Sequence, residues 1–173
     1  MKLRKTLSEN KLPKIVVPKF AFALLALAFL CASALAQEVT SEDWFNKGQE
    51  RFRNGSEEEA LEAYDKAIEL DPENTKAWLG KGTVLSLWAG SINDKGLYED
   101  AIKAFDKAIE LDPQQTRGRL LKASALLNLG RYNESLEILD EALDAASQSS
   151  EKAQIWFEKA HLFAEQGNYN ETV

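Results

Sequence analysis

Few side chains in this sequence have the types and spacing that catalysis requires. His161 is the only histidine, and Cys31, the only cysteine, lies in an apolar N-terminal run. The sequence therefore offers no nucleophile beside a base, and it has no Gly-rich loop that would hold a phosphate. The acidic run Glu57-Glu58-Glu59 lacks the spaced Asp, Asn and Gly of a calcium loop and fits a helix start, where the helix dipole favours anions. We predict a protein that is not an enzyme and that uses no metal or cofactor.

The first 36 residues differ from the rest in charge and hydropathy. Residues 1–19 carry six Lys or Arg against one Glu, and residues 20–36 are an uncharged run of 17 that ends in Ala34-Leu35-Ala36. A cationic start, an apolar run and a small-residue exit are typical of a secretory signal peptide. We expect residues 1–36 to direct export out of the cytoplasm, and residues 37–40 to act as a short linker. Because an apolar run of this length is near the minimum that spans a bilayer, an uncleaved signal anchor that holds the protein to a membrane through residues 20–36 is the alternative.

The rest of the chain is strongly acidic. The whole sequence has 21 Lys or Arg and 28 Asp or Glu, and removal of residues 1–36 leaves 15 and 27, a net charge of −12. Nucleic acids require clustered cations, so we predict no nucleic-acid partner. No cysteine follows residue 36, so an oxidising compartment would be tolerated without the use of disulfides.

An eight-residue segment occurs twice in the sequence. Residues 65–72, Asp-Lys-Ala-Ile-Glu-Leu-Asp-Pro, recur unchanged at residues 106–113, which is 41 positions later. A fixed period of this size indicates a repeat architecture. The aligned units are 41–74, 75–115, 116–149 and a partial unit at 153–173, and alignment leaves seven extra residues, 89–95, that we place in the turn of the second unit.

The spacing of aromatic and small residues in these units resembles the tetratricopeptide repeat. The matching positions are Trp44, Gly48, Gly55, Ala60, Tyr64, Ala67 and Pro72 in the first unit, and Trp78, Gly82, Gly96, Ala101, Phe105, Ala108 and Pro113 in the second. The resemblance implies an all-α fold, a right-handed α-solenoid of antiparallel helix pairs with about three and a half repeats. Gly55, Gly130 and Gly167 are expected to turn left-handed at helix ends.

The units depart from the family pattern at one position. Where the family usually has Leu just before the small residue of the first helix, all four units have lysine, at Lys47, Lys81, Lys122 and Lys159. A lysine stem can cover apolar surface while its ammonium group reaches water. The third unit also has Arg119 in place of the leading aromatic and Ser147 in place of the closing proline.

The resemblance also implies a ligand-binding groove on the concave side, which the first helices line. The residues at the ligand-facing positions are Phe45, Gln49, Phe52, Arg53, Leu79, Thr83, Leu87, Leu120, Ser124, Leu127, Asn128, Phe157 and His161. Apolar residues stand where a Lys/Asn carboxylate clamp would need Lys or Arg, so we predict an apolar groove that takes an amphipathic helix or an extended apolar peptide. A missing C-terminal helix or a second copy of the chain could instead fill it.

Three Asn-x-Ser/Thr sequons start at Asn54, Asn133 and Asn170. All three are predicted to lie at turns between first and second helices, on one edge of the solenoid. In an exported protein they could accept glycans, although Asn and Ser also favour turns for conformational reasons.

Together these patterns predict an exported scaffold or adaptor that binds a protein or peptide, as an accessory subunit of an envelope or secreted complex. The alternative is a self-assembling module that stacks through its C-terminal end. There Trp156, Ala160 and Phe163 would lack the second helix that covers their counterparts in the other units.

The signal segment makes the first testable prediction. We expect cleavage after Ala36, so that the exported protein begins at Gln37. Mass spectrometry of the exported protein measures this directly. An intact N-terminus in the membrane pellet would instead identify residues 20–36 as a signal anchor.

Overall fold

The computed structural model of the chain describes residues 38–167. It contains seven helices and, within those residues, no strand. The helices are α1 (Ser41–Arg53), α2 (Glu57–Leu70), α3 (Thr75–Ile92), α4 (Lys95–Leu111), α5 (Thr116–Asn128), α6 (Tyr132–Ala145) and α7 (Ser149–Gln166). In the first three units the first helix packs on its own second helix, and each second helix packs on the next first helix, so the predicted all-α repeat solenoid is confirmed.

Three predicted features lie outside the described residues: the signal segment 1–36, its cleavage site between Ala36 and Gln37, and the sequon at Asn170. Between residues 38 and 167, no helix combines the length and the apolar character that a bilayer span requires.

The helix ends follow from local sequence. Thr40 and Asp43 form a reciprocal capping box at the start of α1, and its hydrogen bonds hold the pKa of the Asp43 carboxyl below its usual value. Gly55, Gly130 and Gly167 have φ values of 74°, 76° and 80°, which confirms the predicted left-handed turns.

The seven extra residues of the second unit do not form the long turn that the alignment predicted for 89–95. They lengthen the two helices, because α3 continues to Ile92 and α4 begins at Lys95. Asn93 ends α3 in the left-handed conformation (φ 56°), and the Asp94 carboxylate accepts the backbone N–H of Gly96 at 2.7 Å. Extension of the helices buries Ala89 completely. Apolar burial thus favours helix over loop at this point.

Within each pair, the two helices meet where a small residue faces a large one. A Cβ atom on Gly48 would lie 2.7 Å from the Tyr64 ring, and one on Gly82 would lie 2.5 Å from the Phe105 ring. The third unit has Ala123 with Leu139 in one buried cluster. Where the small residue is Ala and not Gly, the large residue is Leu and not an aromatic residue, which keeps the interior closely packed.

The contact between the second helix of one unit and the first helix of the next, which we call an inter-unit joint, contains a repeated ion pair. Of the four lysines at the departing position, Lys47 is exposed, and the other three pair with aspartates of the preceding unit. The pairs are Lys81 with Asp65, Lys122 with Asp106 and Lys159 with Asp140, each with Nζ 2.6 Å from Oδ1.

Two of the joints also share a hydrogen bond to the preceding turn. The indole N–H of Trp78 donates to the Pro72 carbonyl at 3.0 Å, and the Arg119 guanidinium donates to the Pro113 carbonyl at 2.7 Å. Arg119 therefore supplies the same donor as the tryptophan whose position it occupies.

The last helix begins earlier than predicted. α7 starts at Ser149 and not near Ala153, and the Glu151 carboxylate accepts the backbone N–H groups of Ser147 and Gln148, both at 3.2 Å. Because Ser147 replaces the proline of the other units, its backbone N–H is available for this capping. Phe163, which we expected to lack cover, is buried with Ile155 and Leu162.

The close helix approach at Gly82 makes a testable prediction. We expect Gly82→Ala to lower the free energy of unfolding by a net value of about 1–2 kcal/mol, because the added methyl group collides with the fully buried Phe105 and the higher helix propensity of Ala offsets only part of that cost. Gly96→Ala, at an exposed position of α4, is the control and should be neutral or slightly stabilising. Urea denaturation followed by circular dichroism measures both, and equal stability of the two variants would contradict the packing argument.

Candidate functional site

A pocket of about 580 Å³ opens between α1 and α3. We call it the α1–α3 pocket. Helix α1 contributes four residues, α2 contributes one, α3 contributes four, and the start of α5 contributes two. They are Phe45, Gln49, Phe52, Arg53, Tyr64, Lys76, Leu79, Gly80, Thr83, Gln115 and Arg117. Three successive units therefore build one site.

Tyr64 is the most deeply placed polar residue of the pocket, with 3% of its surface exposed. Its ring lies between two glycines, because a Cβ atom on either Gly48 or Gly80 would come within 2.7 Å of it. The Tyr64 ring also contacts the Phe45 ring, with centroids 5.9 Å apart. No hydrogen bond joins the Tyr64 hydroxyl to any other residue between 38 and 167.

The charge at the pocket is positive. Lys76 Nζ lies 3.5 Å from the Glu42 carboxylate, and Arg53 donates a long hydrogen bond of 3.5 Å to the Gln49 side chain. Arg117 is exposed, and within the described part of the chain neither arginine has a carboxylate partner. Three cations thus surround a pocket with one nearby carboxylate, an arrangement that suits a ligand carboxylate.

The structure brings together only some of the predicted groove residues. Six of them line the α1–α3 pocket: Phe45, Gln49, Phe52, Arg53, Leu79 and Thr83. The prediction missed Tyr64, Lys76, Gly80, Gln115 and Arg117. The lining keeps the predicted apolar residues Phe45, Phe52 and Leu79 and adds two cations, Lys76 and Arg117, to the predicted Arg53.

Alignment of the units could have revealed two of the missed residues. Lys76 and Arg117 occupy the same position, two residues before Trp78 and Arg119. The unit alignment places them in register, but only the approach of α5 to α3 brings both cations to one pocket.

The other predicted groove residues have different environments. Leu87 and Phe157 are 58% and 71% exposed, whereas Leu120 and Leu127 pack partly against the last core cluster. The Asn128 side chain donates to the Ser124 carbonyl at 2.8 Å. The exposed His161 has Nε2 3.8 Å from the Glu165 carboxylate, a surface pair on one helix face.

Two sequons lie within the described residues. Asn54 is exposed at the end of α1, in the predicted turn. Asn133 is exposed but lies inside the first turn of α6, and the hydroxyl of its sequon residue Ser135 is buried and donates to the Ala123 carbonyl at 2.8 Å. The hydroxyl residue of the first sequon, Ser56, is partly exposed, so the two sequons differ in the accessibility of their hydroxyl residues.

The burial of Tyr64 makes a testable prediction. Burial raises the pKa of Tyr64 above its ordinary value of 10.0, and the positive charge of Arg53 partly opposes that shift. The folded state therefore keeps this proton longer than the unfolded state, and stability that is present below pH 10.0 should fall as the pH rises above that value. Tyr64→Phe should reduce the alkaline loss of stability, measured by urea denaturation on both sides of pH 10.0. Equal losses in both proteins would show that Tyr64 does not cause the effect.

Family comparison supports the repeat assignment. Two models described as tetratricopeptide repeat match the sequence, one at residues 41–74 and the other at residues 93–150 and 120–171. No curated protein has a sequence that matches this chain.

Solved structures with the same architecture include three tetratricopeptide-repeat domains. The TPR2B domain of yeast Sti1, in a complex with pHsp70, is 25% identical with a TM-score of 0.58, and the match covers 70% of this chain and 96% of that one. The TPR domain of Arabidopsis OM64 is 19% identical (TM-score 0.61; coverage 72% and 95%). The first TPR of Spaghetti (RPAP3), bound to the HSP90 peptide SRMEEVD, is 16% identical (TM-score 0.56; coverage 71% and 95%). By sequence and by fold, this chain contains tetratricopeptide repeats.

Proposed function

We propose that this protein is a non-enzymatic scaffold that binds a peptide segment of a partner protein in the α1–α3 pocket. The observation that carries the proposal is the combination of an apolar wall with two arginines, Arg53 and Arg117, that have no carboxylate partner among residues 38–167. A segment that places an apolar side chain against Phe45 and Leu79 and a carboxylate near the arginines would satisfy both features. The partner segment is therefore amphipathic and acidic, and not purely apolar.

Two further observations support a binding role. The yeast Sti1 domain, which is similar to this chain over nearly the whole length of the Sti1 domain, is in a complex with pHsp70. Tetratricopeptide repeats, which this chain contains, are typically protein-interaction modules without enzymatic activity.

The proposal includes export. Residues 1–36 have the charge order of a signal peptide, and the domain that follows them has a net charge of −12. The protein then acts outside the cytoplasm as an accessory subunit of an envelope or secreted complex. Attachment to a membrane through an uncleaved segment 20–36 is the alternative form of the same proposal.

One observation favours self-assembly as a second candidate function. Trp156 and Phe157 on α7 are 55% and 71% exposed, although both are large apolar residues. Burial of a side chain of this size contributes roughly 1.5–3 kcal/mol, so α7 has a drive to find a covering partner. A mass that rises with concentration in sedimentation, and that Trp156→Ser keeps monomeric, would support this candidate. A monomer at all concentrations would exclude it.

A peptide-binding experiment tests the main proposal. The probe is fluorescein-labelled SRMEEVD, which combines apolar and acidic side chains with a free carboxylate, and fluorescence anisotropy measures its binding to the full chain. We expect saturable binding that Arg117→Glu weakens about tenfold, because the change removes an attraction and adds a repulsion. Lys152→Glu, the same charge change at an exposed position of α7 outside the pocket, should leave binding unchanged.

The two variants also define how the proposal fails. If Arg117→Glu and Lys152→Glu weaken binding equally, the peptide responds only to net charge. If Arg117→Glu has no effect and Phe157→Ser abolishes binding, the exposed apolar residues of the first helices form the site and the α1–α3 pocket does not.

A further inference from the structure

The first helix of the solenoid carries the same tryptophan and lysine as α3 and α7, the first helices of the second and fourth units. In α3 and α7, a lysine stands three residues after a tryptophan, and its ammonium group lies over the indole ring. Nζ of Lys81 is 5.9 Å from the Trp78 ring centroid, and Nζ of Lys159 is 4.9 Å from that of Trp156. Each of these lysines also pairs with an aspartate of the preceding second helix. The lysine therefore joins an aromatic ring to a carboxylate across two units.

Helix α1 has this arrangement without the carboxylate. Lys47 is exposed, with Nζ 4.4 Å from the Trp44 ring centroid, and Lys66 of α2 lies 5.3 Å from the same ring. No carboxylate among residues 38–167 pairs with Lys47, and the Trp44 indole N–H donates to no acceptor there, whereas that of Trp78 donates to Pro72. Two ammonium groups and one indole N–H thus stand on the outer face of α1, the surface formed by Trp44, Lys47 and Lys66.

The second helices that contribute the aspartates of the inter-unit joints, α2, α4 and α6, share a short sequence pattern. Each carries Asp, one variable residue and then Ala, in Asp65-Lys66-Ala67, Asp106-Lys107-Ala108 and Asp140-Glu141-Ala142. All three alanines are buried, with 0 to 2% of their surface exposed. The aspartate reaches the lysine of the next unit, and the small alanine allows close helix packing.

We propose that the outer face of α1 binds an acidic helix of a partner protein that carries this Asp-x-Ala pattern. The carboxylate of that helix would lie between the ammonium groups of Lys47 and Lys66, and its alanine would allow close packing against α1. A carbonyl at its C-terminal end would accept the Trp44 indole N–H, as the Pro72 carbonyl accepts that of Trp78. This surface is separate from the α1–α3 pocket, whose lining includes none of its three residues.

Charge argues against two other occupants of this face. The chain's own N-terminal segment, residues 1–36, carries six cations and one anion, so it repels Lys47 and Lys66. A second copy of the chain offers Asp65, Asp106 and Asp140, each of which already pairs with a lysine of its own chain. It also offers the exposed Asp144, but Ala146, the alanine of that Asp-x-Ala segment, is already buried in its own core. A helix from a different protein is the occupant that charge complementarity favours.

A charge-swap experiment tests the proposal. The probe is a fluorescein-labelled peptide of residues 95–115, which contains the Asp-x-Ala pattern at Asp106, and anisotropy measures its binding to the full chain. We expect saturable binding that Lys47→Glu weakens about tenfold. Lys152→Glu, a matched charge change on α7, should have no effect. A peptide with Asp106→Lys should bind poorly to the original chain and regain affinity for the Lys47→Glu variant.

Several outcomes would overturn the proposal. One is the absence of saturable binding, and another is binding that Lys47→Glu leaves unchanged. Loss of peptide binding in Arg117→Glu with no effect of Lys47→Glu would place the peptide in the α1–α3 pocket. A fall in the sedimenting mass of the chain alone on Lys47→Glu would identify a second copy as the occupant.

Discussion

The close approach of paired helices at small residues is the constraint on which the rest of this structure depends. The Tyr64 ring occupies space that a side chain at Gly48 or Gly80 would need, and the Phe105 ring does the same at Gly82. The third unit meets the constraint with Ala123, which is larger than glycine, and Leu139, which is smaller than Tyr or Phe. Because the sum of the two volumes is similar in each pair, the helix separation can repeat along the chain. Regular stacking follows from that regular separation.

The inter-unit joints convert these pairs into a continuous solenoid. A single repeat leaves apolar surface on both sides, so each pair needs neighbours. Lysine and aspartate then pair in the three joints, with the same distance each time. These pairs are partly exposed, and such ion pairs contribute little to stability. Their value is positional, because a short contact at a fixed place defines how one unit sits on the next.

The candidate site is a consequence of this stacking. Tyr64 separates two glycines that belong to different units, so α1 and α3 approach each other across its ring. The approach creates a pocket with an apolar wall, and the start of α5 adds Arg117. A site built from three units is sensitive to unit spacing. The glycine positions and joints are therefore as important to the pocket as the residues that line it.

The sequence alone determined the class of fold, the unit period and the left-handed turns at Gly55, Gly130 and Gly167, because helix periodicity and positive φ values are local properties. Six of the eleven residues that line the pocket are among the groove positions that the resemblance to tetratricopeptide repeats implies. Only the tertiary structure decided where the lysines of the joints end, how the extra residues of the second unit are accommodated, and that Arg117 shares a pocket with Arg53. Each of these depends on which groups from distant parts of the chain come close together. Spacing within one helix carries no information about that, because it does not specify the neighbour against which the helix packs.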